Sequence, residues 1–134
     1  MKHTSIISVC CLLLLYAVVS CKKDDPASTS SALIGNWKFV GVAVTGCTDP
    51  NDNFAETCTT NCGTLAITAT SWTFTEPGSS TDTGTYTVNG NTVTLSETGG
   101  STDTYTYAIV GNVLTFTKAP GGDGCVQVST FSKI

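Results

Sequence analysis

The chain has 134 residues, six of them basic and ten acidic, for a net charge of −4, and only 12% of it is charged. It contains no arginine, and its single histidine is His3. That length suffices for one domain with its own core, and an acidic chain without a basic, aromatic-interleaved patch excludes nucleic acid as a partner, because phosphates repel it.

At the N-terminus, Lys2 and His3 precede an apolar run from Ile6 to Val19 that stops at Ser20 and Cys21. A membrane-spanning helix needs about 20 apolar residues, so this shorter run with a small residue at its end reads as a secretory signal. Val18-Val19-Ser20-Cys21 resembles the lipobox of bacterial lipoproteins. The resemblance implies cleavage after Ser20, diacylglycerol on the Cys21 thiol, and acylation of the freed amine by a palmitate-type chain. The bilayer then becomes a partner, since two or more chains at about 0.8 kcal/mol per buried methylene give durable attachment. Removal of Lys2 with the signal leaves the mature protein more acidic than the full chain.

Lys22-Lys23-Asp24-Asp25 follows the cysteine and resembles the export signal of some Gram-negative lipoproteins, which places them on the outer face of the outer membrane. A solvated charge cluster on a periplasm-facing protein is the alternative. The polar stretch from Pro26 to Ser31 has no apolar periodicity and reads as a tether. The expected organisation is therefore a signal peptide over residues 1–20, a lipidated N-terminus and tether over 21–32, and one domain over 33–134.

From there on, short threonine-rich runs alternate apolar with polar residues, which predicts antiparallel strands and no helix. Eight runs are expected: Asn36 to Thr45, Gly63 to Ala69, Ser71 to Glu76, Thr83 to Asn89, Thr92 to Glu97, Thr102 to Val110, Val113 to Lys118, and Cys125 to Ser132. Asn89-Gly90 and Gly111-Asn112 supply the positive φ of two-residue hairpins, and Pro77-Gly78 opens a longer turn. A hairpin centred on Asn89-Gly90 is echoed by one centred on Gly111-Asn112, as two copies within a single meander rather than a repeat array.

Taking one residue in two gives an inward file of Trp37, Phe39, Leu65, Ile67, Trp72, Phe74, Tyr86, Val88, Val93, Leu95, Tyr105, Tyr107, Leu114, Phe116, Val126 and Val128. The opposite file is mostly Thr, Ser and Asn. One wet face and one dry face suit an all-β, eight-stranded up-and-down barrel, with a two-sheet β-sandwich as the alternative.

Leu33-Ile34-Gly35-Asn36-Trp37-Lys38-Phe39-Val40 resembles the opening Gly-x-Trp strand of lipocalin-like domains. Gly84 to Leu95 is similar to the middle hairpin of small bacterial lipocalin-like lipoproteins, and the resemblance extends over about Leu33 to Phe131. It implies a small barrel that captures an apolar ligand in its mouth. Lipocalins end in a helix, and nothing after Cys125 reads as one.

Setting aside Cys10 and Cys11 in the signal and the lipidated Cys21, four cysteines remain: Cys47, Cys58, Cys62 and Cys125. An even set in an exported protein predicts two disulfides, with three pairings open. A four-thiolate zinc site is disfavoured because Cys125 has no near neighbour. In an up-and-down barrel Cys47, Cys62 and Cys125 share one rim, where bridges would fasten the long Gly46 to Asn61 loop to the body, with Cys58 completing the second bridge. A structural role is expected for all four.

With His3 in the signal, histidine-based catalysis is excluded. Asp49, Asp52, Glu56, Glu76, Asp82, Glu97, Asp103 and Asp123 fall almost wholly in expected turns and loops, where carboxylates stay solvated. Lys38 reads as a snorkelling surface lysine. A non-enzyme without cofactor is expected. Asp49-Pro50-Asn51-Asp52-Asn53 opens like a calcium loop, but Phe54 and Thr60 stand where its glycine and glutamate belong, so an Asx-rich turn without metal is expected. Two roles follow. Either Trp37, Trp72, Phe74, Tyr86, Tyr105 and Tyr107 line a cavity for a small apolar ligand, or they fill the barrel, and the rim loops contact a protein or glycan.

Overall fold

The computed structural model describes residues 29–134. A short helix, α1 (Thr29–Leu33), leads into nine strands: β1 (Gly35–Thr45), β2 (Phe54–Thr57), β3 (Thr64–Ile67), β4 (Ser71–Thr75), β5 (Thr81–Asn89), β6 (Thr92–Glu97), β7 (Thr102–Val110), β8 (Val113–Lys118) and β9 (Val126–Lys133). All pairings are antiparallel, in the order β2-β1-β3-β4-β5-β6-β7-β8-β9, and β1 also pairs with β9. The sheet closes on itself as an eight-stranded up-and-down barrel with β2 as an additional strand, which sets the two-sheet alternative aside.

Local chemistry fixes the meander. Gly90 (φ 60°) and Gly111 (φ 59°) take the first place of two-residue loops, between paired Asn89 and Thr92 and between paired Val110 and Val113. Glycine followed by asparagine is the order a type II′ hairpin favours, so the first turn is Gly90-Asn91 rather than Asn89-Gly90.

Two elements were not expected from the sequence. The expected all-strand domain begins with α1, which takes up the end of the expected tether and buries Leu33 completely. A five-residue helix is shorter than two turns and leaves no periodic pattern to read. Trp37 Nε1–H donates to the Leu33 carbonyl at 2.8 Å, satisfying one of the carbonyls that a helix C-terminus leaves unpaired. The other departure is β2, which lies inside the stretch expected to be a loop.

β2 and β3 are two halves of one interrupted strand. Both run along the same edge of β1, with Thr57 opposite Gly41 and Thr64 opposite Lys38. Between them, Phe39 N–H donates to the Gly63 carbonyl at 2.8 Å, and Cys58 N–H donates to the Val40 carbonyl at 2.7 Å. The chain from 59 to 62 therefore loops out of the wall. On its other edge, β1 shifts register against β9 between Phe39 and Gly41, at the same level.

Inside the barrel, the expected file holds for seven of the eight expected strands: Trp37, Leu65, Ile67, Trp72, Val93, Tyr107, Leu114 and Phe116 are buried, with Phe39, Phe74, Tyr86, Val88, Leu95 and Tyr105 packed against them. On β9 the expectation fails. Residues directly opposite on neighbouring strands share a face, and inward Leu114 and Phe116 stand opposite Phe131 and Ser129. Gln127, Ser129 and Phe131 thus face inward, and Val126 and Val128 face out. The Phe131 ring meets Phe39 and Phe116 at centroid distances of 5.5 and 5.8 Å. Phe131 thereby joins the aromatic interior, while Val126 and Val128 stay half-buried on the outer face.

Candidate functional site

Strand direction alternates, so the starts of β1, β4, β6 and β8 lie at one pole. Leu33, Trp37, Val93 and Leu114 are fully buried there, and α1 covers the opening. Tyr107 O–H donates to the Gly90 carbonyl at 3.3 Å, Tyr86 O–H donates to the Thr68 carbonyl at 2.7 Å, and the Lys133 ammonium lies 5.2 Å above the Trp37 ring. This pole is packed shut.

The opposite pole opens into a cup of about 730 Å³. Its floor and walls are Phe39, Leu65, Trp72, Phe74, Leu95, Tyr105, Phe116 and Phe131, and its mouth carries Glu56, Asn61, Glu76, Asp82 and Ser129. Trp72 Nε1–H donates to the Thr85 carbonyl at 3.1 Å. Gly84 permits this: a Cβ there would come within 2.7 Å of the indole nitrogen and 2.0 Å of the Ser96 carbonyl oxygen.

Of the six aromatics expected to line a cavity, Trp72, Phe74 and Tyr105 do so. Trp37, Tyr86 and Tyr107 belong to the closed half. Strand parity had already put Phe39, Leu65, Leu95 and Phe116 inside the barrel. Sequence alone does not single out the mouth carboxylates, because Glu56 and Asp82 lie outside the expected strands and Glu76 ends one. Asp82 stands opposite Phe74 within β5, and Glu56 stands opposite Val42 within β2. Running the β5 alternation two residues further back would have put Asp82 on the file of Gly84 and Tyr86.

Asp103 follows the same rule, standing opposite inward Leu95. Its carboxylate holds the Lys118 ammonium at 2.6 Å, and that ammonium lies 6.0 Å from the Tyr105 ring centre. The hydrogen bond that Lys118 donates to Asp103 raises the Lys118 pKa. Burial, helped by the charge of Asp103 and opposed by Lys118, raises that of the Tyr105 phenol. No lysine lines the cup.

The cysteines form two disulfides, Cys47–Cys125 and Cys58–Cys62, so the zinc alternative is excluded. The first joins the end of β1 to the start of β9 on the open side. The second does not fasten a loop to the body; it closes the short loop between β2 and β3, from which Cys58 and Asn61 reach the cup. Asp49 accepts from the Asn51 backbone and side-chain amides, both at 2.9 Å, as an Asx turn does. Among the described residues no group of three His, Cys, Asp or Glu is placed to hold a metal. Cys21, the expected lipidation site, lies outside the described residues.

No protein-family model matches this chain. Neither does any curated protein or solved structure. The cup is therefore the feature from which a function can be read.

Proposed function

We propose that this protein is a lipid-anchored, lipocalin-like lipoprotein of the bacterial cell envelope whose barrel binds a small apolar ligand. The observation that carries the reading is the aromatic cup, which falls within the roughly 300–1,000 Å³ of small-molecule pockets and combines apolar walls with a few polar groups at the mouth. A barrel that only needed a core would have closed both poles as it closes one. Eight strands leave room for packed side chains or for one small ligand, and here each half of the barrel takes one of those options.

The position of α1 supports the anchoring part of this reading. The chain reaches the barrel at the closed pole, so acylated Cys21 would hold that pole toward the bilayer and leave the mouth facing away from it. Outer-membrane attachment, on either face, rests on the N-terminal sequence alone, and the absence of a catalytic role rests on the sequence as a whole.

A second reading, an interaction module that contacts a protein or glycan through its rim, has one observation in its favour. Every residue of β2 is exposed, and Phe54 is 51% exposed beside the mouth. Native mass spectrometry of the protein purified gently from its host separates the two. The binding reading expects an added mass that is lost on denaturation. Bare protein mass, together with failure of apolar fluorescent probes to bind, would turn the search to partners at the rim.

A further inference from the structure

The mouth of the cup is net negative. Glu56, Glu76 and Asp82 line it, and no lysine does. Lys118 stands at the rim on the inward file two residues beyond Phe116, but the Asp103 carboxylate neutralises it. Lys133 lies over Trp37 at the closed pole, and Lys38 is on the outward file of β1 between inward Trp37 and Phe39. Three carboxylates above an apolar, low-dielectric well focus a negative potential into it, raising the local concentration of cations and opposing anions. A fatty acid would bring its own carboxylate to this rim and meet like charge.

Below the carboxylates, the walls present the faces and edges of Phe39, Trp72, Phe74, Tyr105, Phe116 and Phe131. Aromatic rings attract an ammonium group through their quadrupoles, and most strongly where water is displaced. The barrel contains its own instance of the arrangement: the Lys118 ammonium sits between the Asp103 carboxylate and the Tyr105 ring, and Tyr105 is itself a wall of the cup.

From these two features we infer that the ligand is an amphiphilic cation, an apolar or aromatic body carrying an amine or quaternary ammonium group. The body occupies the aromatic well and the charged head stays at the level of Glu56, Glu76 and Asp82. This inference rests on the ligand-binding reading and narrows it to one charge class.

The test compares three probes with the same ten-carbon tail, decyltrimethylammonium, decanol and decanoate, the two ions titrated below their micelle concentrations and decanol below its solubility limit, against the full chain with both disulfides formed. Binding is read from tryptophan fluorescence and from the Trp72 indole N–H resonance. The expected order is decyltrimethylammonium over decanol by about tenfold, with decanoate weakest, and the cation's lead shrinks as salt is raised. In the triple variant Glu56→Gln, Glu76→Gln, Asp82→Asn, decanol binding persists while the cation's lead falls to within about twofold. Persisting decanol binding shows that the variant is folded. If decanol binds the native chain and the cation binds no more tightly, or decanoate binds equally well, the charge inference is overturned while the cup remains a binding site. If none of the three binds, both the inference and the reading beneath it fail.

Discussion

The two poles of this barrel are stabilised by different means. At the closed pole, Leu33, Trp37, Val93 and Leu114 exclude water completely, and α1 seals the end with one indole hydrogen bond. At the open pole Phe39, Phe74 and Tyr105 are only half-buried around unfilled space, carboxylates ring the mouth, and both disulfides lie on that side. Side-chain packing holds one end and covalent bonds hold the other. Emptying one end of a small barrel removes contacts that its core can barely spare, and cross-links compensate by restricting the unfolded chain.

The largest expected effect comes from removing the covalent hold. Cys47–Cys125 spans 78 residues of sequence, so replacing both cysteines with serine is expected to cost about 4 to 5 kcal/mol on the chain-entropy account, against about 2 for the small Cys58–Cys62 ring. Urea denaturation of the two double variants measures the difference. Equal losses would show that the bridges act through native-state contacts instead of loop closure.

Next in size is Trp37→Ala, which empties a fully packed site and should cost about 3 to 5 kcal/mol. Phe74→Ala already borders open space, so its expected cost is below about 2 kcal/mol. Its larger effect should be on probe affinity, which Trp37→Ala should leave unchanged in whatever fraction stays folded. If Phe74→Ala destabilised as much as Trp37→Ala, the division into a packed half and an open half would be wrong.

The smallest effects concern the rim at high pH. The folded state raises the pKa values of both Tyr105 and Lys118, so each holds its proton more tightly folded than unfolded. Their contribution is fully present below the ordinary values of about 10 and is lost as pH rises beyond them, so stability should fall with pH in that range. Tyr105→Phe should remove a late-titrating phenol from the ultraviolet absorbance and reduce that slope. Lys118→Met should cost less than about 1 kcal/mol, because its ion pair is partly exposed.

Much of this architecture was legible in the sequence. Alternation yielded eight of the nine strands, seven correct inward pairs, and a rim shared by Cys47, Cys62 and Cys125. These follow from the two-residue period of a strand and from chain connectivity, which act locally. β9 failed because Val126 and Val128 on one file and Phe131 on the other both satisfy that period. β2 failed because Phe54–Thr57 is short, wholly exposed and carries no burial pattern.

What the sequence determined by itself was the all-β class, the hairpin order and which side chains turn inward on every expected strand but the last, because each depends on residues within a few positions of one another. Only the tertiary structure decided that the inward side chains divide into a packed pole and an open cup, which cysteines pair, and that Glu56, Glu76 and Asp82 meet at one mouth. Those outcomes depend on the stagger of strands around a closed sheet, which brings together residues far apart in the chain and leaves no local signal of where the interior runs short of side chains to fill it.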